Sequence, residues 1–326
     1  MRPQDISDKT VIIAPLDWGM GHVTRCIPII RQLLDQHCKV VFAGIDIQIK
    51  LIKKDFPEVI CEKIPGYNVT LDAQVSTYRQ ILSQFKGMKK MARQEQNLAN
   101  QLTDKYTVDV IISDNRFGFF SDAAYNIFMT HQLNPQIPIF RKRVRRLIAT
   151  FTSFFDCVWI PDDENDPLCG DLSKSKLRVP ILYIGWLSRF KPVQLPIKRD
   201  ILVIVSGPEP ERTRFQDDIY AMLKGLDWSY KFVTPNDVKN EKFVQNPSTR
   251  ELEELINSSE IVISRGGYTT IMELLSLNKT TVLIPTKGQY EQVYLSEIID
   301  RPYFKFMNED ELYRFLVKLN TAKKFS

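Results

Sequence analysis

Ile261-Val262-Ile263-Ser264-Arg265-Gly266-Gly267-Tyr268-Thr269-Thr270-Ile271-Met272-Glu273 passes from an apolar run through a polar pair and two glycines into a helical pattern. Strand, tight turn and helix start follow one another without a break. A helix start offers backbone N–H groups that lack intrahelical partners, together with the positive end of the helix dipole. Paired glycines let a ligand come close to the backbone. Glu273 lies one turn beyond Thr269 and Thr270, so the three share a face. The stretch suits an anion at the helix start whose hydroxyls are held by the carboxylate, as in a nucleoside diphosphate with its ribose. Glycines that serve only the packing of an ordinary strand–turn–helix connection fit these residues equally well.

The same rhythm extends to either side. Residues 201–205 predict a buried strand, followed by a helix near 212–223, a strand near 231–234, a helix near 249–257 and strands at 261–263 and 281–284. In the first half, strands are expected at 10–15, 39–43, 108–113, 127–130 and 155–160, with a helix at 27–34. The polar stretch 71–105 reads as one or two surface helices. Alternating strands and helices argue for parallel sheets covered on both faces. The proline-bearing stretch 189–196 reads as a linker, which divides the chain into domains 1–188 and 189–326. A helix at 308–319, with Asn308 as N-cap, ends the second domain and is a candidate to pack back on the first. The expected fold is α/β, two doubly wound Rossmann-like domains facing across a cleft. Ligands in such sheets bind outside the strand C-terminal ends.

Bulk properties narrow the function classes. A chain of 326 residues is long enough for two cores. A hydrophobic content of 44% and a charged content of 25% exclude a disordered chain. A net charge of +5 is too small to mark a nucleic-acid binder. The five cysteines form no C-x-x-C pair and are odd in number, which suits reduced thiols in a cytoplasmic protein. The N-terminus has no apolar h-region, and no run approaches the length of a membrane span. A cytoplasmic protein is expected, with peripheral seating on the inner face of a membrane left open.

The loop after the first strand is Leu16-Asp17-Trp18-Gly19-Met20-Gly21-His22-Val23-Thr24-Arg25. Gly19 and Gly21 permit a tight turn. The third glycine of a dinucleotide fingerprint is missing, and no acidic residue stands where it would hold a ribose. The loop is better suited to presenting His22 into a cleft, although a structural histidine is the alternative. Asp114, after another buried strand, is placed to orient His22 or receive its proton if the two loops are neighbours. It is equally placed to cap the next helix. Arg116 is a candidate to pair with Asp114 or to bind an anionic substrate. His131 ends a further strand, either as an acceptor contact or as a buried, satisfied histidine. In Ser206-Gly207-Pro208-Glu209-Pro210-Glu211-Arg212, two prolines remove donors that a phosphate cradle needs. Ser206, Gly207 and Arg212 remain as phosphate contacts. Gln289 and Gln292 carry amides suited to sugar hydroxyls.

Together these loops resemble those of the GT-B glycosyltransferases, and within them family 28. That family includes the MurG-type enzyme of peptidoglycan precursor synthesis and the diacylglycerol glycosyltransferases. The resemblance covers most of the chain. It is strongest at Ser264-Arg265-Gly266-Gly267-Tyr268-Thr269-Thr270 with Glu273, then at Pro285 and Gly288-Gln289-Tyr290-Glu291-Gln292. It implies that Glu273 holds the ribose hydroxyls, that the backbone from Gly266 to Thr269 meets the diphosphate, and that Gln289 and Gln292 meet the donor sugar; Arg265 and Tyr268 are further donor-site candidates. Arg189 looks like the family's linker arginine near the phosphates. Gly19-x-Gly21-His22 is similar to the family's glycine–histidine loop on the acceptor side, where Gly21, Arg116 and His131 are also candidates. Two departures stand out. The family's Gly-Ser-x-Gly loop is here Ser206-Gly207-Pro208-Glu209, and Trp18 and Met20 stand beside the N-terminal glycines. The chain looks most like a bacterial branch of the family.

The implied reaction is an inverting transfer of a sugar from a UDP-sugar to an acceptor hydroxyl. His22 would act as base with Asp114 as its orienting partner. The helix start after Gly267 and Arg189 or Arg212 would stabilise the departing UDP. No cofactor is expected beyond the UDP-sugar as co-substrate. No metal is expected either, because the histidines and acidic residues show no ligand spacing. Arg141-Lys142-Arg143-Val144-Arg145-Arg146 is flanked by Phe140, Leu147, Ile148, Phe151, Phe154 and Phe155. As a helix it would suit an anionic membrane surface and a lipid-linked or cell-envelope acceptor, or it is a solvated basic face over core aromatics. A nucleotide-sugar 2-epimerase and a non-catalytic sugar-nucleotide-binding subunit are the competing classes.

Overall fold

Residues 1–67 and 77–323 are described by the computed structural model, the side chains of 77–89 and 322–323 excepted. The chain divides into two compact units, Met1–Leu187 and Ser188–Ser326.

The first unit runs β1 (Thr10–Pro15), α1 (Gly21–Asp35), β2 (Lys39–Gly44), α2 (Asp46–Asp55), β3 (Ile60–Lys63), α3 (Thr77–Tyr106), β4 (Val110–Asp114), β5 (Tyr125–Met129), α4 (Arg141–Thr152), β6 (Cys157–Ile160) and β7 (Ile181–Tyr183). Its strands pair in the order β3-β2-β1-β4-β5-β6-β7, and every pairing is parallel. A parallel sheet is covered on both faces, which is why β1 is a continuous apolar run. Alternate side chains face opposite layers. Ile12, Ala14, Val41, Ala43 and Ile111 pack with Ala99 and Leu102 of α3. On α1, Val23, Cys26, Ile27, Ile30 and Leu33 recur at helical spacing and are buried. The polar stretch after β3 becomes the single helix α3; residues 71–76 of that expectation lie outside the described residues. The loop after β4 sits so close to α3 that a Cβ at Gly118 would strike the backbone of Ala92.

The second unit runs β8 (Arg199–Ile204), α5 (Glu211–Lys224), β9 (Tyr230–Thr234), β10 (Phe243–Gln245), α6 (Thr249–Asn257), β11 (Ser259–Arg265), α7 (Tyr268–Ser276), β12 (Thr281–Ile284), α8 (Tyr290–Ile298), β13 (Phe304–Phe306) and α9 (Glu309–Lys323). The order is β10-β9-β8-β11-β12-β13, again all parallel. Ile201, Val203, Ile261, Ile263, Val282 and Ile284 form a core with Phe215, Ile219 and Leu223 of α5 and with Leu312 and Leu316 of α9. The final helix thus buries its apolar face in its own unit's core. Asn308 caps it, accepting from Glu311 N at 2.9 Å while its own N–H donates to the Glu311 carboxylate at 2.9 Å.

In each sheet the strand order reverses after the unit's first strand. The crevice outside the strand ends at that reversal is the usual ligand position. It falls between β1 and β4 in the first unit, and between β8 and β11 in the second.

Candidate functional site

At the first reversal, Pro15 and Asp114 are register partners, and Leu16 N donates to Asp114 O at 2.9 Å. The loop after β1 turns at Gly19, whose φ of 82° lies in the left-handed region. Gly21 opens α1, which puts His22 in its first turn. There His22 Nδ1 lies 3.1 Å from Asp114 Oδ2. Asp114 is fully buried at the end of β4, and no helix follows it for the carboxylate to cap. Arg25, three residues after His22, donates from Nε to Asp114 Oδ2 at 2.8 Å and from Nη2 to Oδ1. Its Nη1 lies 3.3 Å from His131 Nδ1. The structure therefore joins His22, Arg25, Asp114 and His131 in one network. Burial by itself would push the Asp114 carboxyl up. The charge of Arg25, then that of His22 and the hydrogen bonds from both, bring it down to about 2.

Arg116 is placed differently from either of its expected roles. Its guanidinium bonds Glu95 of α3 at 2.7 Å and the carbonyls of Pro15 and Pro65 at 3.4 and 2.8 Å. Glu95 also accepts from Tyr67 Oη at 2.7 Å and from Gly118 N at 3.1 Å. Buried between two loops and a helix, Arg116 spends its donors on internal partners, pairs with Glu95 rather than Asp114, and ties the loops around β1 and β4 together.

At the second reversal, β11 delivers Ser264, whose hydroxyl donates to Ile204 O on β8 at 3.0 Å. Arg265 turns inward: it pairs with Glu309 at 3.2 Å and lies over the Phe215 ring at 4.4 Å. Its side chain thus anchors the start of α9 and the face of α5. Gly266 and Gly267 lead into α7, with Gly267 as a cap that supplies no side chain. A Cβ at Gly266 would come no closer than 3.7 Å to Phe306, and one at Gly267 no closer than 3.9 Å to Thr270. Both are ordinary contacts, and neither residue has a positive φ. Internal packing and backbone conformation leave the glycine pair unexplained.

Tyr268 and Thr269 form the first turn of α7, and Glu273 follows on the same helix. Glu273 is buried and pairs with Arg189 at 2.8 Å. The contact is off-axis, so Arg189 Nε and Glu273 Oε1 attract by charge without an aligned hydrogen bond. Burial raises the Glu273 carboxyl above its usual range, and Arg189 only partly reverses this. Arg189, placed by resemblance near the phosphates, has its cation taken by Glu273.

The Ser206 loop is also filled from within. Gly207 takes a φ of 105°, and the chain then brings the Glu209 carboxylate onto the start of α5. It accepts from Thr213 N at 3.2 Å, Thr213 Oγ1 at 3.0 Å and Arg212 Nη2 at 2.6 Å. Arg212 Nε donates to Asn236 at 3.1 Å. The anion at this helix start is the protein's own, so Arg212 serves Glu209. Gln289 stands just before α8 and its side chain makes no capping bond, while Gln292 Oε1 accepts from Thr286 N at 2.8 Å and closes the loop between them.

Sequence reasoning missed Arg25, Glu95 and Glu209. Arg25 carried a signal, because residues three apart on a helix share a face. Glu95 gave none, being one acid in a long polar helix.

Comparison with known proteins fits this geometry. Two doubly wound parallel sheets in one chain match Arabidopsis thaliana UGT89C1 complexed with UDP-L-rhamnose, with a TM-score of 0.62 at 12% identity over 97% of this chain and 90% of that one. Acinetobacter baumannii MurG matches with a TM-score of 0.52 at 12% identity, over 96% and 91%. The fold is that of the GT-B glycosyltransferases. Residues 222–295 match the glycosyltransferase family 28 C-terminal domain. An uncharacterized glycosyltransferase of Methanosarcina acetivorans is 22% identical over 328 residues, 89% of this chain and 81% of that protein. A UDP-N-acetylglucosamine–N-acetylmuramyl-(pentapeptide) pyrophosphoryl-undecaprenol N-acetylglucosamine transferase of Prochlorococcus marinus is 33% identical over 106 residues, 29% of each chain. The chain is a glycosyltransferase, and its second unit carries the family 28 type of C-terminal domain.

Proposed function

We propose that the chain transfers a sugar from a UDP-sugar to an acceptor hydroxyl, with inversion and without a metal. The observation that carries the donor half is the pair Gly266 and Gly267. Neither packing nor φ calls for glycine there, which favours close approach by a group from outside the chain. The α7 start offers donors to a diphosphate, and Glu273 offers a buried carboxylate for ribose hydroxyls. Gln289 and the amide nitrogen of Gln292 suit the sugar.

The acceptor half rests on His22. Its Nδ1–H donates to Asp114, which leaves Nε2 to take the acceptor's proton. The acceptor oxygen attacks the anomeric carbon, the bond from that carbon to the diphosphate oxygen breaks, and UDP leaves with the electron pair. Trp18 and Met20 are exposed on the same loop. Ile139 and Phe140, 58% and 45% exposed, precede α4, whose Lys142, Arg143 and Arg146 face solvent. Apolar and basic groups so placed favour a lipid-linked acceptor at an anionic membrane surface. Phe151 and Phe155 instead pack on Phe117 and Phe128. No helix among the described residues is long and apolar enough to cross a membrane.

Glu209 on the α5 start favours a second reading, a sugar-nucleotide-binding subunit without activity of its own. The test is transfer from a panel of nucleotide sugars with UDP binding measured alongside. His22→Ala is expected to lower transfer about 10²- to 10⁴-fold and leave UDP affinity unchanged. Glu273→Ala is expected to weaken UDP binding about tenfold or more. Wild-type rates in His22→Ala would remove His22 as base. Binding without turnover across the panel would favour the subunit.

A further inference from the structure

Arg25 is 2% exposed and lies one turn beyond His22 on α1. Its fork engages both oxygens of Asp114, and its Nη1 reaches His131. Its Nη2 also lies 3.0 Å from His22 Nδ1, the nitrogen that lies 3.1 Å from Asp114 Oδ2. One ring nitrogen serves only one of these. Protonated, Nδ1 donates to Asp114 and meets the Arg25 N–H as donor against donor. Unprotonated, it accepts from Arg25 and has no hydrogen to give Asp114. A cation placed only to neutralise a buried carboxylate has no need to touch the histidine as well.

We propose that Arg25 is a positioning residue for the transfer: it clamps the Asp114 carboxylate in one orientation and offsets that carboxylate's charge at His22. The inference rests on the reading of His22 as base. A carboxylate alone beside an imidazole draws a proton onto it, and a protonated imidazole takes none from an acceptor. The groups facing the His22 ring are Asp114 from β4, Arg25 from α1 and His131 after β5, while the Cys26 thiol donates to the His22 carbonyl. Burial lowers the imidazole most, Asp114 draws it back up, and Arg25 and His131 push it down, so the balance falls below the ordinary 6.5. Burial keeps the Cys26 thiol well above its usual range and therefore neutral. Arg25 is the fixed positive charge in this set. Without it, only burial and His131 are left to counter the pull of Asp114 on His22.

The test is an NMR titration of the His22 ring in the full chain without substrate. Arg25→Met is expected to raise the His22 midpoint by about one pH unit or more. Arg25→Lys, which keeps the charge and loses the fork, should stay near wild type. In transfer assays, Arg25→Lys should lower kcat with little change in donor KM, and Arg25→Met should move the acid limb of kcat/KM upward. If Arg25→Met fails to fold, Asp114→Asn against the double variant Arg25→Met/Asp114→Asn isolates the same charge, and the double variant should titrate higher. An unmoved midpoint in either comparison, with His22→Ala inactive, overturns the role of Arg25 alone. Full transfer by His22→Ala overturns the base assignment together with this inference.

Discussion

Gly266→Ala adds one methyl group into space the protein leaves open. Its new Cβ meets Phe306 at 3.7 Å, and the backbone needs no left-handed angle. Stability is expected to stay within about 0.5 kcal/mol of wild type, read by thermal melting. UDP affinity is expected to fall about tenfold, read by calorimetry, because the methyl occupies the approach to the α7 start. Loss of stability with intact affinity would return the glycine to a packing role. Asp114 sets a different observable. Its carboxyl is near 3.8 in the unfolded chain and about 2 in the fold. Above 3.8 both states are ionised and the stabilisation is whole. As pH falls from about 4 to about 2 the unfolded chain gains a proton that the native state refuses, and about 2 kcal/mol is lost. Denaturant midpoints across that window should show the loss, and Asp114→Asn should flatten it. At this scale the places of His22 and Asp114 were legible because apolar runs identify the strands before them: Asp114 ends β4, and His22 opens α1 after the loop that leaves β1. The internal partners of Arg116 and Arg265 were not legible, because a basic residue in a polar loop looks the same whether its partner is a ligand or a carboxylate of the chain such as Glu95.

Strands with long apolar runs were readable to within a few residues, whereas α1 begins at Gly21, well ahead of the stretch 27–34 expected for it. β1, α6 and β12 follow directly from TVIIAP, the helical pattern of residues 249–257 and TVLI. The short edge strands β3, β7, β10 and β13 were not, since three or four residues carry too little alternation to register. The helix α2 was missed because only Gln48 and Ile52 of it are buried, leaving almost no apolar stripe. One contact between elements makes a sharp prediction. Gly118→Ala drives a methyl into the backbone of Ala92 on α3. Neither side can yield without moving the helix, so the expected cost is about 1–3 kcal/mol. A chemical denaturation curve should show it, and because Gly118 N also bonds Glu95, the Arg116 tie should loosen in the same variant. Unchanged stability would mean that α3 is free to shift.

Over the whole molecule, each unit has its own parallel sheet and core, with candidate chemistry at its own strand reversal. Composition and rhythm announced that plan, because parallel strands buried on both faces must be apolar throughout. What they could not announce is how α4 presents its charges. Ile148 and Thr152 are buried while Lys142, Arg143 and Arg146 point outward, and Ile139 and Phe140 stand exposed just before them. The full chain is expected to co-sediment with vesicles containing anionic lipid at low salt and to be released as salt rises. Replacing Lys142, Arg143 and Arg146 with glutamine should abolish sedimentation without altering UDP affinity. Failure of the wild-type chain to bind anionic vesicles at low salt would sink the membrane assignment.

Glu209 bears on the end of the reaction cycle. A nucleoside diphosphate held by the second unit has the α7 start to release, because the α5 start is kept by a carboxylate on the same chain. That carboxylate is tethered at high local concentration and never diffuses away. Under the proposed transfer mechanism this favours turnover over retention: UDP is expected to be a weak product inhibitor, because one helix start rather than two is open to its phosphates.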